Sequence, residues 1–334
     1  MKLGVVVSTD PWRYFEEVYA TWKERYPVTL FEHHRIHMPV LSTRLNRYRF
    51  RRDLQAFLKG QDVVFFEWAS DLLAAATRLP KTTRIVTRLH RYELFQWAHQ
   101  IDWSRVDRVI LVSESMRARF AERFPQHAGK AVVVNEGIDT RKFVPTTKPF
   151  SGELGTLCYL GPRKRVYELI LAFAEMAPRH AGLRLNIGGS GNKHGDYNDA
   201  LSSLVRKLDL GDRIRFQGEV SEPWAWHPNM DIFISNSYSE GLQVAPMEAM
   251  ACGRYTLSHA WDGAEELVPA DQIFLTNTEL VEKVLAYADL TEGERQRKQE
   301  QMRQIACEKF DMQNKIDGLT AAIEEIALAP EGVG

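Results

Sequence analysis

The sequence predicts an α/β protein made of two doubly wound domains, and three observations carry that prediction. Short β-rich runs alternate with stretches of helical spacing along the first half. The same alternation restarts after residue 155. Between the two series stands Val144-Pro145-Thr146-Thr147-Lys148-Pro149, a polar, proline-bearing segment of linker character. Strands that alternate with helices pair in parallel through right-handed crossovers, because the chain returns over one face of the sheet before it can form the next strand. The 334-residue length agrees, since domains usually run about 100–200 residues.

In the first half, strands are expected at Lys2–Val7, Val28–Glu32, Asp62–Phe66, Arg84–Arg88, Val109–Val112 and Lys130–Val134. Helices are expected at Trp12–Arg25, where Trp12, Phe15, Val18, Tyr19 and Trp22 share a face, and at Asp53–Leu58, Leu72–Leu79 and Ser115–Phe124. In the second half, strands are expected at Thr156–Leu160, Arg184–Ile187, Ile214–Gln217, Ile232–Ser235 and Tyr255–Ser258. The matching helices are Val166–Met176, Tyr197–Leu208, Pro246–Ala251, Thr278–Ala288, Glu292–Phe310 and Gln313–Leu328. The expected domains are 1–145 and 150–310, with a C-terminal crossover helix at about 313–330 completing the first.

Composition narrows the function. No stretch approaches the roughly 18 apolar residues of a membrane span. The opening Met-Lys-Leu-Gly-Val-Val-Val-Ser is too short for the apolar core of a secretion signal, and Thr9-Asp10-Pro11 ends it. Cys158, Cys252 and Cys307 are too widely spaced for a disulfide framework or a zinc site. A cytoplasmic protein is therefore expected. The formal net charge of −1 hides a split: residues 1–150 hold 25 Lys and Arg against 16 Asp and Glu, and the remainder holds 18 against 28. A basic half and an acidic half suit different partners. Arg44–Arg52 (RLNRYRFRR) concentrates five arginines around Tyr48 and Phe50. The plain reading is a solvated loop and helix entry; the functional readings are an anionic acceptor, a membrane surface or nucleic acid.

The most informative segment is Ser237-Tyr-Ser-Glu-Gly-Leu-Gln-Val-Ala-Pro-Met-Glu-Ala-Met-Ala-Cys-Gly253. An apolar strand runs into a polar loop, with Gly241 available for close backbone approach. Pro246 suits the first position of a helix, and Gly253 suits its end. The free N–H groups and positive dipole end of such a helix make a ready site for a diphosphate. Glu248 in the first turn and Glu240 in the preceding loop are placed to accept hydrogen bonds from sugar hydroxyls.

This segment resembles the E-x7-E signature of glycosyltransferase family 4, the retaining GT-B enzymes, with Glu240 and Glu248 as its two glutamates. The resemblance extends to bacterial cell-envelope polysaccharide transferases. It implies a GT-B fold, in which two Rossmann-like domains face each other across a cleft. It implies that Glu240 contacts the donor sugar, that Glu248 holds the nucleotide ribose, and that backbone amides of Gly241, Leu242, Gln243, Val244 and Ala245 hold diphosphate and sugar. Gln243 stands where the family commonly has glycine, and Val244 where it has leucine. Tyr159-Leu-Gly161-Pro-Arg163-Lys164-Arg165 is similar to the family's phosphate-binding turn, which maps the cations onto Arg163 and Lys164, with Arg165 where glycine is common. Asn186-Ile-Gly-Gly189-Ser-Gly191 is similar to its glycine turn. Arg213-Ile-Arg-Phe-Gln-Gly218 leads to the loop beside the base, making Gly218 to Val220 candidates for nucleobase contact. Asn135-Glu136-Gly-Ile-Asp139 resembles the segment before the interdomain linker, with Glu136 in place of asparagine.

In the first half, Arg84–Glu93 puts His90 at a strand end, resembling the family histidine that reaches donor sugar or acceptor, beside Arg91. Phe65-Phe-Glu67-Trp68 gives Glu67 a similar address. Thr9 lies in the first loop, which lacks the family's Gly-Gly. The catalytic set implied is His90, Arg163, Lys164 and Glu240; the acceptor candidates are Thr9, Glu67 and Arg91. There is no Asp-x-Asp motif anywhere, so neither a metal nor any other cofactor is expected. The substrates expected are a UDP- or GDP-sugar and a saccharide, lipid-linked or other anionic acceptor, with peripheral contact at an inner membrane surface and nucleic acid as the least favoured partner. The rival readings are a sugar-nucleotide 2-epimerase and a non-catalytic partner protein that binds nucleotide sugar.

Overall fold

The computed structural model describes every residue except 8–11, 13, 14, 33–41, 192–195 and 331–334, and of 42–47 it describes the backbone alone. The described residues form two six-stranded parallel sheets. The chain divides into two compact units: residues 1–135 together with the C-terminal segment from Gln313, and Glu136–Met312. Segment 144–149 lies within the second unit, where Arg254 Nη2 donates to Thr146 O at 2.8 Å and Lys148 Nζ stands 2.9 Å from Asp231 Oδ1.

The first sheet contains β1 (Leu3–Val6), β2 (Val28–Leu30), β3 (Val63–Phe66), β4 (Arg84–Leu89), β5 (Arg108–Leu111) and β6 (Ala131–Val133). Their order is β2-β1-β3-β4-β5-β6. Every residue of β1 and β3 is buried, as expected of central parallel strands covered on both faces. Phe15 stacks on Phe65 at 5.6 Å between centroids, and Trp22 meets the same ring edge-on at 5.0 Å. The C-terminal helix Met312–Leu328 belongs to this unit. Trp22 Nε1 donates to Thr320 Oγ1 at 2.9 Å, and the Arg84 guanidinium binds the carbonyls of Ile326, Ala327 and Ala329. Those are among the carbonyls a helix end cannot satisfy by itself.

The second sheet contains β7 (Glu153–Leu157), β8 (Arg184–Gly188), β9 (Ile214–Gly218), β10 (Ile232–Ser235), β11 (Tyr255–His259) and β12 (Ile273–Phe274), in the order β12-β11-β10-β7-β8-β9. The chain builds β7, β8 and β9 in one direction, then crosses back to place β10 on the other side of β7. The strand order therefore reverses between β7 and β10, and ligands of such sheets bind beyond the strand ends at that point.

Several elements differ from expectation, three of them here. The strand expected at Thr156–Leu160 is Glu153–Leu157. Gly155 belongs inside it because a Cβ there would come within 2.6–2.9 Å of Met230 and Trp226. The basic segment Arg44–Arg52 is not a loop and helix entry but lies within one long helix, Ser42–Lys59. Leu54 and Leu58 of that helix are buried, and Phe50 and Phe57 both meet Phe31; this apolar spacing carries the helix back through the arginines. Tyr48 stays exposed. The pair β12 was not anticipated, since two residues carry no periodicity. Among the described residues, no helix is long and apolar enough to cross a membrane.

Candidate active site

The site is built where β7 and β10 end. β7 leads into the 3-10 turn Pro162–Lys164, and the helix Val166–Met176 follows. Between them Arg165 takes a left-handed conformation, φ 50°, the geometry glycine adopts without strain. The loop after β10 compensates: Asn236 Nδ2 donates to Arg165 O at 2.9 Å, and Tyr238 N donates to Arg163 O at 3.2 Å. Turn and loop are thereby held in fixed register.

Glu240 is where they meet. Its Oε1 lies 2.7 Å from Lys164 Nζ and 2.5 Å from Arg163 Nη1, and it accepts from Gln243 Nε2 at 2.7 Å. Arg163 also donates to Ser239 O at 2.8 Å. Gln243 Nε2 reaches Ser237 Oγ at 3.1 Å, and its Oε1 accepts from Ser235 Oγ. Burial pushes the Glu240 carboxyl up, but Lys164 and Arg163 together with the hydrogen bonds it accepts outweigh burial and hold it below the usual carboxylate value. Beside this cluster opens a pocket lined by Thr156, Leu157 and Cys158 at the end of β7, by Phe233, Ser235, Asn236 and Ser237 at the end of β10, and by Lys164, Gln243 and Pro246. It occupies the point of strand-order reversal.

The helix that follows is Val244–Ala251, with Gln243 at its N-cap. Pro246 is thus its third residue, not its first, and Glu248 lies in its second turn. Proline is tolerated there because the first N–H groups of a helix have no internal partner; the amides of Val244 and Ala245 are in that unbonded set. Gly253 ends the helix as expected, with φ 70°, Gly253 N bonded to Met250 O and Arg254 N to Ala249 O. Glu248 is buried, and its Oε2 lies 3.3 Å from Nε2 of the fully buried His227.

The glycines divide by role. Gly189 has φ 111°, and a Cβ there would overlap the carbonyl of Cys158; its N–H donates to Gly218 O at 2.7 Å. This positions the loop after β8 against the exit of β7. Gly161 is extended, with its nearest neighbour 3.5 Å from a built Cβ, so nothing within the protein demands glycine there. Val220 packs against the small apolar cluster of Trp226, Met230, Phe233 and Ala249, as does Ala245. Leu242 is buried.

The first unit gathers His90, Glu67 and their neighbours at the ends of β3 and β4. His90 stacks on Trp68 at 4.1 Å and caps the helix Arg91–Gln96, its N–H reaching Glu93 Oε2 at 3.2 Å. Burial raises the Glu93 carboxyl, with His90 opposing. Glu67 is buried and paired with the buried Arg88 at 3.2 Å. Arg91 places its guanidinium 4.9 Å from the Phe95 ring. Thr9 lies outside the described residues.

The structure therefore brings Arg163, Lys164, Glu240 and Gln243 into one cluster, and sets Glu248 on the adjoining helix. Sequence reading missed Ser235, Asn236 and Ser237, although their position at a strand exit was a usable signal. It also missed His227, for which no spacing rule offers one.

The family profile described as "Glycosyl transferases group 1" matches residues 151–307, and that described as "Glycosyltransferase Family 4" matches residues 2–142. A component of the phosphatidylinositol N-acetylglucosaminyltransferase of Arabidopsis thaliana is 26% identical over 181 residues, 53% of this chain and 40% of that protein. The lipopolysaccharide core biosynthesis mannosyltransferase LpcC of Rhizobium leguminosarum bv. viciae is 27% identical over 130 residues, 36% of this chain and 37% of that protein. The matched stretch thus spans well under half the length of these curated relatives. Among solved structures, Anabaena Alr3699/HepE in complex with UDP superposes with a TM-score of 0.77 at 17% identity, covering 97% of this chain and 100% of that one. The lipopolysaccharide outer core galactosyltransferase WaaB in its apo form gives 0.75 at 16% identity, covering 97% and 99%. The fold is GT-B. With one profile on each half of the chain and the GT-B architecture throughout, the protein belongs to glycosyltransferase family 4.

Proposed function

We propose that this chain transfers a glycosyl group, with retention at the anomeric carbon, from a nucleoside diphosphate sugar to a saccharide or lipid-linked acceptor. One observation carries the reading: two cations, Arg163 and Lys164, converge on Glu240 beside the pocket at the β7–β10 switch point. A departing nucleoside diphosphate needs its charge neutralised. Arg163, Lys164 and the free amides at the start of the helix Val244–Ala251 supply fixed positive charge for this, in place of a divalent metal. In this scheme Glu240 orders the two cations before the donor arrives and accepts hydrogen bonds from the donor sugar. Glu248 takes the ribose, and the backbone at Gly218–Val220 takes the base. The sugar C1–O bond to the diphosphate breaks as the bond to the acceptor oxygen forms on the same face. The acceptor proton passes to the donor phosphate, so no protein nucleophile is required. His90, at the end of β4, is assigned to donor sugar or acceptor.

The donor is proposed to be a UDP- or GDP-sugar, and the setting cell-envelope polysaccharide or glycoconjugate synthesis in the cytoplasm, with peripheral membrane contact through the basic N-terminal half. A lipid-linked or saccharide acceptor fits the names of the inositol-lipid and lipopolysaccharide relatives. Thermal-shift screening against UDP-, GDP-, ADP- and dTDP-sugars tests the donor, because a ligand bound only by the folded chain raises its melting temperature. The stabilising donor is then followed by product analysis with and without acceptor. A raised Tm with glycosylated product supports the reading. No stabilisation by any donor, or an epimerised donor formed without acceptor, contradicts it.

A further inference from the structure

Resting on the assignment of Glu248 to the ribose, we infer that His227 is a positioning residue for nucleotide binding, its Nε2–H holding the Glu248 carboxylate in the orientation that receives the ribose hydroxyls. His227 sits in the 3-10 turn His227–Asn229 and is fully buried. Its ring is fixed by Trp226 edge-on at 5.2 Å, by Phe233 at 5.3 Å and by Phe143 at 6.2 Å. Nε2 lies 3.3 Å from Glu248 Oε2, whereas Nδ1 is buried without a hydrogen-bond partner among the described residues. That asymmetry sets the tautomer. With the proton on Nδ1, a lone pair would face a carboxylate and a donor would be stranded; with it on Nε2, the donor faces Glu248. In an aromatic cage where Phe would fill the space, the imidazole brings two ring nitrogens, and the one with a partner faces Glu248.

The consequence lies in preorganisation. A carboxylate in the second turn of a helix rotates about three side-chain bonds. Accepting from two neighbouring ribose hydroxyls at once requires one of those orientations. A partner that fixes it beforehand lowers the ordering cost at binding, as outer-shell groups do for metal ligands.

The test is calorimetric titration of wild type, His227→Phe and His227→Gln with UDP or GDP, whichever wild type binds more tightly, and with its 2′,3′-dideoxy counterpart. Wild type should prefer the ribose form by about ten-fold or more. His227→Phe should bring that ratio close to one, while binding the dideoxy form as wild type does. His227→Gln, whose Nε2 falls near that of the imidazole, should restore most of the preference. In turnover assays the loss should fall on donor KM rather than kcat. Should the Phe chain fail to fold, His227→Asn, too short to reach Glu248, serves the same comparison. A His227→Phe chain with the full wild-type preference for ribose overturns the inference while leaving Glu248 assigned. Wild type with no preference removes the ribose role of Glu248, and the inference falls with it.

Discussion

Lys164 Nζ and Glu240 Oε1 stand 2.7 Å apart although 76 positions separate them in sequence. The pair joins the turn after β7 to the loop after β10, across the point where the strand order reverses. If Lys164 neutralises the leaving diphosphate, Lys164→Ala should lower kcat by about 10²–10³-fold, the loss typical of one preorganised transition-state contact. Arg163 and Gln243 still hold Glu240 in that variant, so Tm should move by no more than about 4 °C. Steady-state kinetics beside a melting curve checks both, and wild-type turnover in the variant contradicts the role.

The same pair sets a pH dependence. Glu240 titrates below its ordinary value of 4.5 in the folded chain. A depressed carboxylate stabilises the fold above the unfolded-state pKa, and the contribution is lost as pH falls through the lowered folded value. Lys164→Met removes one opposing charge and leaves burial in place, which shifts the Glu240 pKa up. The acid limb of kcat/KM should therefore move to higher pH, which a pH–rate profile of wild type and variant would measure. An unmoved limb separates Glu240 from the pH profile.

Gln243 is the hub between Glu240, Ser235 and Ser237. Gln243→Gly deletes a hydrogen bond to a charged group, a contact of about 1.5–3 kcal/mol. Donor KM should rise by roughly ten-fold or more, and the ranking among donor sugars should change if Glu240 contacts the donor sugar as proposed, because its carboxylate then loses one of the groups that orient it. Competition between two donor sugars measures this; an unaltered ranking means that Gln243 has no part in sugar choice.

Gly189 and Gly161 should respond oppositely to alanine. At Gly189 both the positive φ and the overlap with the Cys158 carbonyl forbid a Cβ, so Gly189→Ala should cost about 2 kcal/mol or more. At Gly161 the backbone is extended and the space open. Gly161→Ala should stay within about 0.5 kcal/mol of wild type; any activity it loses then reports a ligand approaching that backbone. Chemical denaturation of both variants makes the comparison.

Much of this was legible in the chain. Alternating strand and helix signals place ten of the parallel strands near their positions, because buried runs such as Val63–Phe66 leave a clear apolar signature. Glu240 and Glu248 stand out through their resemblance to the E-x7-E signature, and Arg163 with Lys164 through their resemblance to the family's phosphate-binding turn. What the sequence withheld is tertiary. The pairing of His227 with Glu248 depends on how the turn before β10 folds against the helix after it. That helix starts at Val244, not Pro246, with Gln243 at its N-cap and the Gln243 side chain bonded to Ser235 and Glu240. The long helix through Arg44–Arg52 was hidden because charge dominates its composition, while the residues that bury it, Leu54 and Leu58, lie at its far end.

In the proposed function the second unit grips a nucleoside diphosphate through Arg163, Lys164 and the start of the helix Val244–Ala251. A crystal structure of the protein soaked with the donor selected by thermal shift tests it most directly. The account predicts phosphate oxygens within hydrogen-bonding distance of Lys164 Nζ and the Arg163 guanidinium, with Glu248 on the ribose. Nucleotide bound elsewhere, with the Lys164–Glu240 pair undisturbed and no phosphate beside it, would contradict it.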